Sequence, residues 1–117
     1  MILNSEKSTT GEAQNGKVWF ESKGEVIWLG LTSRGIEALG ELESVDLPHE
    51  GEQVEAGEVL AAIEGDSGSL EVLAPFTLEV VEVNELAEIN LERIAEDPLE
   101  EGWLVKLRSR LEKTTET

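Results

Sequence analysis

Apolar positions in this chain come in short runs broken by turn residues. Val18-Trp19-Phe20 is followed by Ser22-Lys23-Gly24-Glu25, which suits a hairpin loop, and then by Val26-Ile27-Trp28-Leu29-Gly30-Leu31. Branched and aromatic residues dominate both runs and predict strands. Thr32 or Ser33 is placed to cap a short helix through Ile36 and Leu39, with Gly40 at its stop. Leu42, Val45 and Leu47 form a further strand that Pro48 should end.

In Gly51-Glu52-Gln53-Val54-Glu55-Ala56-Gly57-Glu58-Val59-Leu60, glycines and aliphatics alternate three residues apart. The glycines suit positive φ at turns, and Val54 and Leu60 are expected to point inward. Val59 to Ile63 reads as a buried strand, Glu64 to Ser69 as a turn, and Leu70 to Leu73 as the returning strand. Glu79 to Val83 follows Pro75. Asn84 or Asn90 is a cap for a short helix carrying Leu91 and Ile94, which Asp97-Pro98 should stop. Trp103 to Leu107 is the last strand. Many short strands with turn signals between them predict a small, mainly β sandwich or barrel with one or two short helices. The polar stretch 1–16 reads as a mobile leader, 17–108 as the folded domain and 109–117 as a short tail in which Leu111 can dock.

Charge sharpens this picture. The 117 residues carry 26 acids against 9 bases, a formal charge of −17. Between Glu37 and Glu101 stand twenty acids and one base, Arg93, so the acidity belongs to the folded domain. A chain of this length buries roughly two thirds of its unfolded surface, enough for one modest core. The shortage of Lys and Arg argues against nucleic acid and anionic membranes as partners. No apolar run has the length of a signal peptide core or a membrane span, and cysteine is absent. These features predict a soluble, cytoplasmic domain without disulfides or thiolate chemistry.

Candidate chemistry is sparse. His49 is the sole histidine and reads as a surface turn residue, which leaves a triad or a histidine metal site short of partners. The carboxylates lack the spacing of an EF-hand, so a solvated acidic face is expected, with no metal. Gly65-Asp66-Ser67-Gly68-Ser69-Leu70 is similar to the nucleophile segment of some serine hydrolases and to a phosphopantetheine attachment site. A serine nucleophile needs a base, and a pantetheine site needs a contiguous Asp-Ser-Leu at a helix start, so a hairpin tip is the expected role.

The ordered features resemble the glycine cleavage system H protein family. The resemblance rests on Gly30-Leu31-Thr32, Ala38-Leu39-Gly40, Val45-Asp46-Leu47-Pro48, and the glycine–aliphatic spacing of 51–60. Glu79-Val80-Val81-Glu82-Val83-Asn84-Glu85, Glu96-Asp97-Pro98 and Glu101-Gly102-Trp103-Leu104-Val105-Lys106-Leu107 extend it over roughly 17–108. It implies a barrel-sandwich hybrid, the lipoyl/biotinyl carrier architecture, with two β halves packed face to face. It also implies a lysine at a hairpin tip that carries lipoate through an amide and shuttles an aminomethyl group between partner proteins.

With Ala74-Pro75 setting the register, Glu64-Gly65-Asp66-Ser67-Gly68 occupies the attachment segment, and the lysine position is Ser67. Lys7, Lys17, Lys23, Lys106 and Lys113 all lie outside it. Leu78 and Leu91 stand where the family often has Gly and Pro. The resulting expectation is a non-enzymatic binding module with no catalytic residues, metal or cofactor. It would dock on a protein with a basic surface, such as a glycine cleavage or lipoate-handling protein. The alternatives are a working aminomethyl carrier, or a hydrolase or pantetheine carrier acting through Ser67. Trp19, Trp28 and Trp103 are expected to be core residues or interface anchors.

Overall fold

The computed structural model describes residues 9–110. The first hairpins follow the apolar runs closely: β1 (Thr9–Ala13), β2 (Val18–Lys23) and β3 (Val26–Leu31) zip together antiparallel. β1 lies inside the stretch expected to be a leader. Its residues TTGEA carry little apolar signal, and what fixes them is the open backbone edge of β2, against which Thr10 to Ala13 align. Leu111 of the expected tail falls outside the described residues.

α1 (Ser33–Leu39) begins at Thr32, whose hydroxyl accepts the Gly35 N–H at 3.0 Å, and stops at Gly40. There follow β4 (Leu42–Asp46), the two-residue β5 (Gln53–Val54), β6 (Val59–Gly65), β7 (Ser69–Leu73) and β8 (Leu78–Val83). Gly51 and Gly57 both take positive φ, as the turn pattern predicts. α2 (Leu86–Ile89) and α3 (Leu91–Glu96) precede β9 (Val105–Ser109). Of the two asparagines the sequence offered as the cap of one helix, Asn90 caps α3, whereas α2 starts at Glu85, which makes no side-chain cap. Asn84 Oδ1 accepts the Leu86 N–H and Asn90 Oδ1 accepts the Arg93 N–H.

The strands form a six-stranded sheet, β1-β2-β3-β9-β8-β5, and a three-stranded sheet, β4-β6-β7. Leu29, Leu31, Leu78, Val80, Val105 and Leu107 from the large sheet meet Leu60, Ile63 and Val72 from the small one. Leu39 of α1 and Ile94 of α3 close the core. Val54 and Leu60 are buried as predicted, whereas Val59 faces solvent beside its strand partner Leu73. Period-two alternation requires that: once Leu60 points in, Val59 points out. This mainly β, two-sheet architecture is the barrel-sandwich hybrid.

Candidate functional site

The β6–β7 hairpin carries the candidate segment at its tip. Gly65 N–H donates to the Gly68 carbonyl at 2.8 Å and closes the turn. Asp66, Ser67 and Gly68 are exposed on it. The tip does not stand free. Ser67 N–H donates to the Leu39 carbonyl at 2.9 Å, and Asp66 N–H donates to the Glu41 carbonyl at 2.9 Å. In return the Asp66 carboxylate accepts the Glu41 N–H at 3.0 Å. Leu39 ends α1, so the tip satisfies a carbonyl that a helix C-terminus otherwise leaves to water. The backbones approach so closely that a Cβ on Gly65 would sit 2.1 Å from the Leu39 oxygen.

The Ser67 hydroxyl donates to Asp66 Oδ1 at 3.1 Å. Asp66 thus holds both a backbone N–H and the serine hydroxyl, the arrangement of a turn fastened by its own side chain. His49 lies elsewhere, in the loop before β5, with its side chain 96% exposed and Nδ1 3.7 Å from Glu52. The tip therefore presents hydroxyls and carboxylates, with no amine and no imidazole. Among the described residues no cluster of three or more His, Cys, Asp or Glu side chains is arranged to hold a metal ion.

The lysines among the described residues sit on other surfaces. Lys106 lies opposite Trp28 across β3–β9 and opposite Glu82 across β8–β9. Its Nζ is 2.9 Å from Glu82 Oε1, 3.9 Å from the Trp28 ring centroid and 4.6 Å from that of Trp103. Lys23 covers Trp28 as well, at 3.8 Å. The two rings meet edge to face at 5.5 Å. Trp19 is different: it is buried across Gly30, and its indole N–H donates to the Pro98 carbonyl at 2.9 Å. Trp19 is thus a packing residue, while Trp28 and Trp103 are half-buried.

Sequence patterns could not bring out the fastening of the tip to α1, because it depends on residues twenty-five positions apart. Gly40 beside Gly65 was the available signal, since two glycines at a helix stop and a hairpin turn allow backbones to approach.

A barrel-sandwich hybrid with an exposed hairpin tip between its sixth and seventh strands defines a carrier-type domain. The family model described as glycine cleavage H-protein matches residues 10–117, and this chain belongs to that family. The glycine cleavage system H protein of Bacteroides fragilis is 40% identical over 94 residues, which span 80% of this chain and 75% of that protein. That of Thermotoga maritima is 40% identical over 89 residues, 76% of this chain and 72% of the relative. A crystal structure of a glycine cleavage system H protein from Mycobacterium marinum superposes with a TM-score of 0.75 at 29% identity. It covers 96% of this chain and 90% of its own. Among the described residues no helix is long and apolar enough to cross a membrane.

Proposed function

We propose that this chain is an H-protein-like binding module that lacks the lipoyl arm and acts by docking on proteins of the glycine cleavage or lipoate-handling type. The observation that carries this reading is Ser67 at the lysine position, in a tip (64–69) that offers no primary amine. Lipoyl attachment makes an amide from an amine. Serine would give an ester and needs a base to activate its hydroxyl. The residues present do not fit the lipoyl group. Asp66 is the group nearest to that role, and its carboxylate is already held by the Glu41 N–H.

The acidic surface supports a partner with a basic face, because charge complementarity speeds encounter and selects orientation. The module is proposed to be non-catalytic and, given its lack of cysteine, cytoplasmic. Family membership favours one other reading, a working aminomethyl carrier. Both are tested by intact mass after co-expression with lipoylation enzymes, with a lipoylated H protein in the same cells as control. No added mass is expected on this chain, and a gain of one lipoyl group would overturn the proposal. A serine-based activity is tested by fluorophosphonate labelling and by a phosphopantetheinyl transferase. Labelling lost in Ser67→Ala would replace the docking reading with that one.

A further inference from the structure

Two adjoining depressions meet at the end of β8. One, of about 450 Å³, lies between the β4–β5 loop and α2, with Leu47, Pro48 and Glu88 among its walls. The other, of about 280 Å³, runs over Leu86, Ile89 and Trp103. Glu50, Val83, Asn84 and Glu85 line both, which makes them one groove. β4 runs from Leu42, opposite Gly65, to Asp46, opposite Ala62, so the groove lies at the end of β4 away from the hairpin tip.

Its lining is mixed, with apolar side chains set among acidic ones. Ile89 is 73% exposed, the most exposed large hydrophobic residue among those described, and it neighbours the half-buried Leu86 and Trp103. Asp46, Glu50, Glu85 and Glu88 are all exposed, and among the described residues no Lys or Arg forms an ion pair with them. The wall between the depressions is rigid, because the Asn84 side chain is buried with both its amide ends hydrogen-bonded. Glu82 on the groove is paired with Lys106, but Asp46, Glu50, Glu85 and Glu88 are not paired with Lys or Arg. These carboxylates around Leu86 and Ile89 are complementary to a cationic chain carrying an apolar anchor. A second copy of this chain is a poor occupant, since a two-fold contact would set the same carboxylates against one another.

We propose that this groove docks a basic peptide segment of a protein partner. An aliphatic or aromatic side chain of the segment would bury against Ile89, Leu86 and Trp103, flanked by Lys or Arg against Glu50, Glu85 and Glu88. The inference deepens the docking reading by naming the surface and the chemistry of the partner. It concerns a surface other than the tip.

The test titrates the ¹⁵N-labelled full chain with a synthetic peptide that intersperses leucines among arginines. A control peptide keeps the arginines and replaces the leucines by serine. Shifts are expected at 46–50, at 82–89 and at the Trp103 indole N–H. The serine control and the Ile89→Ser variant should each weaken binding about tenfold, the worth of burying one aliphatic side chain. Glu85→Gln combined with Glu88→Gln should lower affinity and flatten its dependence on salt. Shifts spread evenly over Glu37, Glu55 and Glu92, unchanged affinity in Ile89→Ser, or self-association through the groove in place of peptide binding would each overturn the proposal. Lipoylation detected by mass with groove binding intact would overturn only the reading of the tip.

Discussion

The Gln14 side-chain oxygen accepts the backbone N–H of Leu73 at 3.0 Å, so a turn residue of the six-stranded sheet completes the edge of the three-stranded one. Its Nε2 donates to the Glu71 carbonyl at 2.7 Å on the same edge. One side-chain amide thus imitates a neighbouring strand along β7 and ties the sheets together where Val18, Leu29 and Val72 face a mainly apolar cavity of about 190 Å³. Covering a strand edge this way also removes a template for pairing with another chain.

Gln14→Ala should therefore cost about 1–2 kcal/mol, the worth of two partly exposed hydrogen bonds. Urea unfolding gives the energy, and amide exchange at Leu73 should speed up selectively. Gln14→Glu should be worse than alanine at neutral pH, because it sets a carboxylate against the Glu71 carbonyl. Equal stability of all three proteins would show that the staple contributes nothing.

Gly40 is where α1 ends and where the hairpin tip rests. It sits at φ 77° and ψ −147°, a region essentially open only to glycine. A Cβ there would also lie 2.2 Å from Asp66 Oδ1 and 2.6 Å from Ser67 Oγ. Gly40→Ala is expected to destabilise the domain by about 2–4 kcal/mol, combining backbone strain with displacement of the tip. Faster amide exchange at Asp66 and Ser67 would accompany the loss of stability. An unchanged denaturation midpoint would contradict the account.

Asn84 anchors the last third of the chain. Its Nδ2 donates to the carbonyls of Glu101 and Trp103 at 2.7 and 2.6 Å, while Oδ1 accepts the Leu86 N–H at 3.0 Å. Asn84→Ala should cost about 1–3 kcal/mol, since two part-buried carbonyls lose their donor and the Leu86 N–H loses its acceptor. Asn84→Asp keeps the shape yet faces two carbonyl oxygens with a carboxylate, so it should be no better than alanine at pH 7. Thermal unfolding of the two variants checks the order.

Arg93 bonds Glu101 through Nε and lies 3.7 Å from Glu96. The hydrogen bond from Arg93, helped by its charge, holds the Glu101 carboxyl below the usual glutamate range. Because the folded value is lowered, this pair contributes its stability above the unfolded glutamate pKa and loses it as the pH falls through the folded value. Glu101→Gln should thus be less stable than the parent near neutrality and converge with it in acid. The effect should be small and sensitive to salt, because both side chains are solvent-accessible. Carboxyl titration by NMR should place Glu101 below the usual glutamate range, and a midpoint within that range would refute the assignment.

Strands β2, β3, β4, β6, β7, β8 and β9, the cap at Thr32 and the stops at Gly40 and Asp97-Pro98 are legible in the residue pattern. In each case the cause is local: alternation of side chains, a hydroxyl three residues before a free N–H, a glycine or proline that cannot continue a helix. Residue types alone also fix what the tip presents: hydroxyls and carboxylates, and no amine. That Thr9–Ala13 is a strand could not be read locally, because the bonding edge it fills belongs to β2. Long-range contacts likewise place Asn84 as a brace rather than a helix cap, bury Trp19 under Pro98 while Trp28 lies between two lysines, and leave Ile89 exposed beside acidic side chains. These outcomes turn on contacts between residues far apart in the chain, and local periodicity carries no record of which distant partner a side chain will meet.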